Sequence, residues 1–144
     1  MQKQKRLISI LIPYRVIDNE IHVYLQKRSP DMERMPGWFG LWGGGFEEGE
    51  TPEETLKRET IEELGIEVTQ YPYVLHNKHE FWGAIESVFI LEAPQDFDSK
   101  VIIGEGEYGK WFSAEEAFKL PDLIFQAKVI INDLEWSLLK KPIR

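Results

Sequence analysis

At 144 residues, 42% hydrophobic and 29% charged, the chain is expected to form one domain, 1–144, around a single substantial core. The absence of cysteine excludes disulfides, thiolate zinc sites and cysteine nucleophiles, and fits a cytoplasmic protein. A net charge of −8 argues against duplex DNA or long RNA, whose affinity comes largely from phosphate neutralisation. It does not argue against a small phosphorylated ligand held through a cation.

The basic stretch 1–6 precedes the apolar run LISILIPY, 7–14. That run is too short for a signal peptide, and Tyr14-Arg15 stands where a small-residue cleavage site would be needed. No window approaches the length of a membrane span. Strands are expected near 7–16 and 20–28 around a turn at Asp18-Asn19, followed by a loop at 29–40, SPDMERMPGWFG. A short strand near 41–44 leads to a helix over 52–64. Strands near 66–79 and 83–92 follow, with 80–83 as the hairpin connection. A polar loop, 94–100, precedes a segment near 101–104 and a strand around 108–112. Ser113 caps a helix whose first turn holds Glu115-Glu116. Pro121 is expected to open the last helix, with an apolar stripe of Leu123, Ile124, Ala127, Ile130, Ile131 and Leu134. Strands mixed with a few helices predict an α/β (α+β) class, a helix–sheet–helix sandwich.

The densest chemistry lies in 44–66, GGFEEGETPEETLKRETIEELGI. Thr51 is a good N-cap, Pro52 suits the first helical position, and Glu54 falls where a capping box wants an acid. Gly65 supplies the stop. At about 100° per residue, Glu59, Glu62 and Glu63 share one arc roughly 100° wide, while Leu56, Thr60 and Leu64 occupy the neighbouring arc and pack inward. Arg58 can pair with Glu62 one turn along or Glu54 one turn back, and Glu50 can approach the same face from the preceding loop. Carboxylates this crowded repel one another unless a cation offsets the cost, and hard cations such as Mg²⁺ prefer oxygen donors. Gly43-Gly44-Gly45 offers a backbone open to close approach. An acidic run is usually a solvated helix face, but the seven specified positions match by chance on the order of 10⁻⁸ per start.

The pattern G-x5-E-x7-R-E-x-x-E-E-x-G, from Gly44 to Gly65, resembles the box of the Nudix hydrolases. Ile66 matches the bulky aliphatic after it, and Thr60 departs from the aliphatic within it. The N-terminal strand pair, the W-G-G-G run and the late EGEYGKWFSAEEA segment are also Nudix-like. The resemblance implies a Nudix-type sandwich with a mixed β-sheet. It further implies a MutT-like pyrophosphohydrolase in which Mg²⁺ or Mn²⁺ is bound by Glu59, Glu62 and Glu63 with support from Glu50. Arg58 would orient carboxylates and Gly44 would shape the loop. The general base varies in the family between box glutamates and a glutamate on a later loop. Here Glu105 and Glu107 are the late candidates, and Glu105, opening E-G-x-x-G-x-W, resembles the loop that brings an extra metal-binding glutamate. Many members are dimers, so the resemblance allows a homodimer.

A nucleobase or leaving group could stack on Trp38, Phe39 or Trp82, although most aromatics belong to cores. Arg28 and Gly45 are candidates to meet substrate phosphate, and a solvated strand end is the plainer explanation of Arg28. His76 and His79 are a weak metal pair. The compact chain favours a nucleoside triphosphate as its small-molecule partner. A nucleotide sugar, ADP-ribose or a dinucleoside polyphosphate stays open, as does a catalytically silent nucleotide-binding sensor of the same fold. The lack of cysteine disfavours the isopentenyl diphosphate isomerase branch, and the missing SQPWPFPxS-type tail disfavours the NADH-cleaving one.

Overall fold

The computed structural model describes residues 4–144, so the first half of the basic stretch ahead of the first strand lies outside the described residues. In chain order the elements are β1 (Arg6–Ile17), β2 (Glu20–Lys27), β3 (Phe39–Gly40), β4 (Trp42–Gly45) and α1 (Pro52–Leu64). A 3-10 turn (Val68–Gln70) leads to β5 (Tyr73–Phe81), β6 (Ala84–Glu92), α2 (Phe97–Lys100), β7 (Tyr108–Ser113), α3 (Ala114–Phe118) and α4 (Phe125–Leu139). The strands follow the hydrogen-bonded order β3-β2-β1-β6-β5, with β4 also on β1 and β7 also on β2. This is the expected α/β class, a mixed sheet with helices. The chain separates into two compact units, one holding the residues up to Pro13 with Trp42–Glu105, the other Tyr14–Leu41 with Gly106–Arg144.

In the first unit, β4 runs antiparallel to β1, pairing Ile8 with Gly45 and Leu11 with Trp42. Helix α1 begins as its sequence dictates. The Thr51 side chain accepts from the Glu54 amide, and the Glu54 carboxylate accepts from the Thr51 amide. It ends at Gly65, whose φ of 64° few side chains tolerate. Leu56, Thr60 and Leu64 are buried as expected, with Trp42, Phe89 and Phe97 in the same unit's core. The β5–β6 hairpin closes on Trp82-Gly83, both at positive φ, a tighter turn than the expected 80–83.

In the second unit, β2 pairs antiparallel with β3 and β7. Asp18 and Asn19 have φ of 52° and 59°, the left-handed pair that a two-residue hairpin turn needs. Ala127, Ile130, Ile131 and Leu134 are fully buried on α4.

Four local expectations need correction. The last helix starts at Phe125, not Pro121, because the Asp122 carbonyl and the Ile124 amide are spent on Phe39 of β3. That use of β3 also gives the 29–40 loop a two-residue strand at its end. The expected strand from 66 begins only at Tyr73, since Gln70 and Tyr71 donate back to Glu67 and Val68. The polar loop 94–100 holds the single-turn α2, closed by Val101 donating to Phe97. No helix among the described residues is long and apolar enough to cross a membrane.

Candidate active site

The box residues meet within the first unit. Arg58 is the organising cation. Its Nε donates to Glu50 Oε2 and its Nη2 to Glu50 Oε1, both at 2.9 Å, a two-point grip on one carboxylate. Its Nη1 donates to Glu59 Oε1 at 2.8 Å and its Nη2 also reaches the Gly45 carbonyl at 3.0 Å. Glu62 stands farther off at 3.7 Å, with about half of its side chain exposed. Neither local pairing expected from helix spacing dominates. Glu54 is occupied by the capping box, and the loop carboxylate of Glu50 takes the guanidinium instead.

Glu50 is saturated. Besides Arg58 it accepts from the Glu47 amide at 2.7 Å and the Thr55 hydroxyl at 2.8 Å. The Arg58 hydrogen bonds, followed by the Glu47 amide, bring its pKa from the usual 4.5 down to about 2. Glu59 goes the other way. Burial raises its pKa despite Arg58, and the nearby charges of Glu62 and Glu105 add to the rise. Two carboxylates on one guanidinium are therefore held in opposite electrostatic states.

Glu63 is 3% exposed, and its Oε1 accepts from the Gly43 amide at 2.7 Å. Glu59, Glu63 and Glu105 bring carboxylate oxygens within 4.8 Å of one another. Glu105 arrives because the chain after α2 is stitched to the end of α1. Ile102 donates to the Leu64 carbonyl and Gly104 to the Glu63 carbonyl, each at 2.9 Å. A Cβ on Gly104 would stand 2.0 Å from the Glu62 carbonyl oxygen, so only glycine allows this approach. Gly44 lets the Glu59 carboxylate sit close on the other side, where a Cβ would stand 2.6 Å from it. The donor set is all oxygen and strongly anionic, which suits a hard divalent cation.

The remaining candidates sit as follows. Trp82, in the same unit, is 78% exposed at the hairpin tip. Arg28, Trp38 and Phe39 belong to the second unit. There the Arg28 guanidinium donates twice to the Arg34 carbonyl and pins its own loop, while its amide donates to Trp38. Phe39 is buried edge-on to Phe112 at 5.0 Å, with the Lys27 ammonium 4.7 Å from its ring. Glu107, the second late candidate, also lies in that unit, its amide bonded to Lys27. Among the described residues the cluster able to hold a metal is Glu59, Glu63 and Glu105, and it includes neither His76 nor His79. Gly43 was expected to allow close approach, and its amide does meet Glu63. Gly104 was not singled out in the sequence, although a glycine beside the late glutamates was the available signal.

A sequence profile described as the NUDIX domain matches residues 7–134. Nudix hydrolase 3 of Caenorhabditis elegans is 35% identical over 97 residues, 67% of this chain but only 36% of the worm protein's length. The CTP pyrophosphohydrolase of Escherichia coli K12 is 32% identical over 109 residues, covering 74% of this chain and 77% of the bacterial one. Among solved structures, a mutT/nudix family protein of Listeria innocua superposes with a TM-score of 0.72 over 96% of this chain and 97% of its own, at 18% identity. That last likeness is one of fold.

Proposed function

The chain belongs to the Nudix family, and on that premise we propose that it is a metal-dependent pyrophosphohydrolase. Its substrate is a nucleoside triphosphate or another nucleoside diphosphate derivative, cleaved by attack of water at one phosphorus of the pyrophosphate. The observation that supports this reading best is the convergence of Glu59, Glu63 and Glu105, delivered by two separate segments, with their oxygens within 4.8 Å.

In this reading Glu59, Glu63 and Glu105 hold Mg²⁺ or Mn²⁺, and exposed Glu62 on the same helical arc completes the set. When bound there, such a cation would supply charge neutralisation at the phosphoryl oxygens and a lowered pKa for water. Arg58 positions Glu59, and Glu50, itself held by four hydrogen bonds, positions Arg58 and supports the site. Glu59 or Glu105 receives the proton of the attacking water. The glycine strand 43–45 lets the Glu59 carboxylate and the β1 backbone approach closely, which shapes the site.

The test is phosphate or pyrophosphate release from triphosphates, ADP-ribose, nucleotide sugars and diadenosine polyphosphates, with Mg²⁺, with Mn²⁺ and with EDTA. Metal-dependent release from one class is expected. Silence across the panel with metal binding intact overturns the hydrolase reading in favour of a nucleotide-binding module.

A further inference from the structure

The two faces of the sheet in the first unit can be told apart by what their side chains reach. Ser9 donates to the Pro52 carbonyl at 2.7 Å and Tyr73 to Glu53 at 2.9 Å, both on α1. Tyr73 opposes Leu91 across β5–β6, so Leu91, Phe89, Ser87 and Ile85 face α1, and the even-numbered residues of β6 face away. Lys5, which shares the Ser9 parity, pairs with Glu80 on the α1 side. Glu80 opposes Ile85, so its neighbour His79, opposite Glu86, also faces away.

On that far face one buried acid lies among apolar side chains of β1 and β6. Ile8 and Ile10 of β1 are half-buried there, as are Ala84 at the start of β6 and Phe81, while Val88 and Ile90 farther along are buried. The face therefore closes at the Val88 end and opens toward the hairpin. Glu86 sits where it closes, 5% exposed, and its Oε1 has no hydrogen-bond partner. An acid in such a place is costly unless a donor comes to it. The groups facing it are the Arg6 charge from β1 and the His79 ring from β5, which stacks on Phe81 at 5.7 Å.

Arg6 links this face to the carboxylate cluster. Its Nη2 and Nε lie 3.8 and 3.9 Å from where a Cβ on Gly45 would stand, one residue beyond the Gly44 that makes room for Glu59. It also lines an open cavity of about 410 Å³ with Gln4, Leu7 and 45–50, within reach of an incoming phosphate. Strands β4 and β6 flank β1, two strand spacings or about 10 Å apart, a span that a base joined to its phosphates can bridge.

We propose that Glu86 reads the base of the nucleotide, its carboxyl hydrogen-bonding the base edge while the phosphates lie toward Arg6 and the glycine strand. This rests on the hydrolase reading only for the nature of the ligand. An ionised carboxylate offers acceptors alone and matches the adjacent N–H and amino donors of guanine. A protonated carboxyl offers a donor beside an acceptor and matches adenine or cytosine. Burial, only partly offset by Arg6, lifts the Glu86 pKa to about 7, so the preference turns with pH near neutrality.

The experiment measures calorimetric affinity for GMP and AMP, without metal at pH 6 and pH 8, beside kcat/KM for GTP and ATP with Mg²⁺. Wild type is expected to favour guanine by about tenfold or more at pH 8, the value of one charge-assisted hydrogen bond, and to lose that margin at pH 6. Glu86→Gln should abolish the pH dependence of the ratio while keeping phosphate-driven binding. A wild-type ratio that is flat with pH, or a Glu86→Gln ratio that still turns with it, overturns the proposal. If Glu86→Gln fails to fold, the wild-type ratio at the two pH values decides. Discrimination between monophosphates without hydrolysis of any member of the triphosphate, ADP-ribose, nucleotide-sugar and diadenosine-polyphosphate panel would sink the hydrolase reading and leave this one standing.

Discussion

Glu50 and Glu59 both bond Arg58, yet one carboxylate is finished and the other is not. Glu50 accepts four hydrogen bonds and ionises far more readily than usual. Glu59 is buried beside further carboxylates and resists ionisation. A carboxylate already held by four donors gains least from a cation, and in the proposed reading its work is structural. A crowded acid with neighbours of like charge gains most when a cation arrives. The comparison divides the box glutamates into those that hold the site together and those that face the chemistry.

The strongest way to break that division is to remove charge from the crowded set. Glu63→Gln keeps a side chain that can accept from the Gly43 amide but loses the anion. Turnover should fall by about 10²–10⁴-fold with little change in thermal stability. A rate like wild type at moderate Mg²⁺ would remove Glu63 from the metal set. Glu105→Gln should cost less, about 10–10²-fold, unless Glu105 is the base. In that case the acidic limb of the kcat profile moves with it, and an unchanged rate and profile would exclude the residue.

The adjacent glycines sharpen the same contrast between framework and chemistry. Gly43→Ala places a Cβ 2.0 Å from the Ser9 carbonyl at a φ of 127°, where backbone must move, so stability should fall by about 3 kcal/mol. Gly44→Ala meets only the movable end of Glu59, so the fold should survive with less than about 1 kcal/mol lost while metal affinity drops about tenfold. Chemical denaturation and metal titration of the two variants check this. Equal destabilisation by both would mean that Gly44 serves the strand rather than the carboxylate.

How far the sequence carried the argument depended on the range of the interaction. Thr51, Pro52, Glu54 and Gly65 fixed the ends of α1 because capping is local chemistry. The shared arc of Glu59 and Glu63, and the arrival of Glu105, were legible from the box and the glutamate loop. The partners of Arg58 were legible in part. Helix spacing points to Glu54 and Glu62; the capping box had taken the first, the second pairs at 3.7 Å, and the closer partners are Glu50 and Glu59. The start of α4 was misplaced because Asp122 and Ile124 bond Phe39, more than eighty residues away in sequence. Glu86 passed unnoticed inside AIESVFILE, although a lone acid in an apolar strand was the available signal. Only the pairing of β5 with β6 shows that it lies on the face away from α1.

The smallest effect probes the saturated side directly. The Glu50 pKa falls from 4.5 unfolded to about 2 folded, so its contribution to stability is complete above about 4.5. That contribution is lost as pH falls toward 2, because the unfolded chain takes up the proton first. Wild type should therefore lose stability more steeply than Glu50→Gln between pH 5 and pH 2, and the two denaturation midpoints should converge at the acid end. Above pH 5 the gap between them should be constant. A gap that instead opened near neutrality would mean that the contribution of Glu50 runs through the crowded carboxylates. The separation of framework acid from chemical acid would then fail at the residue that defines it.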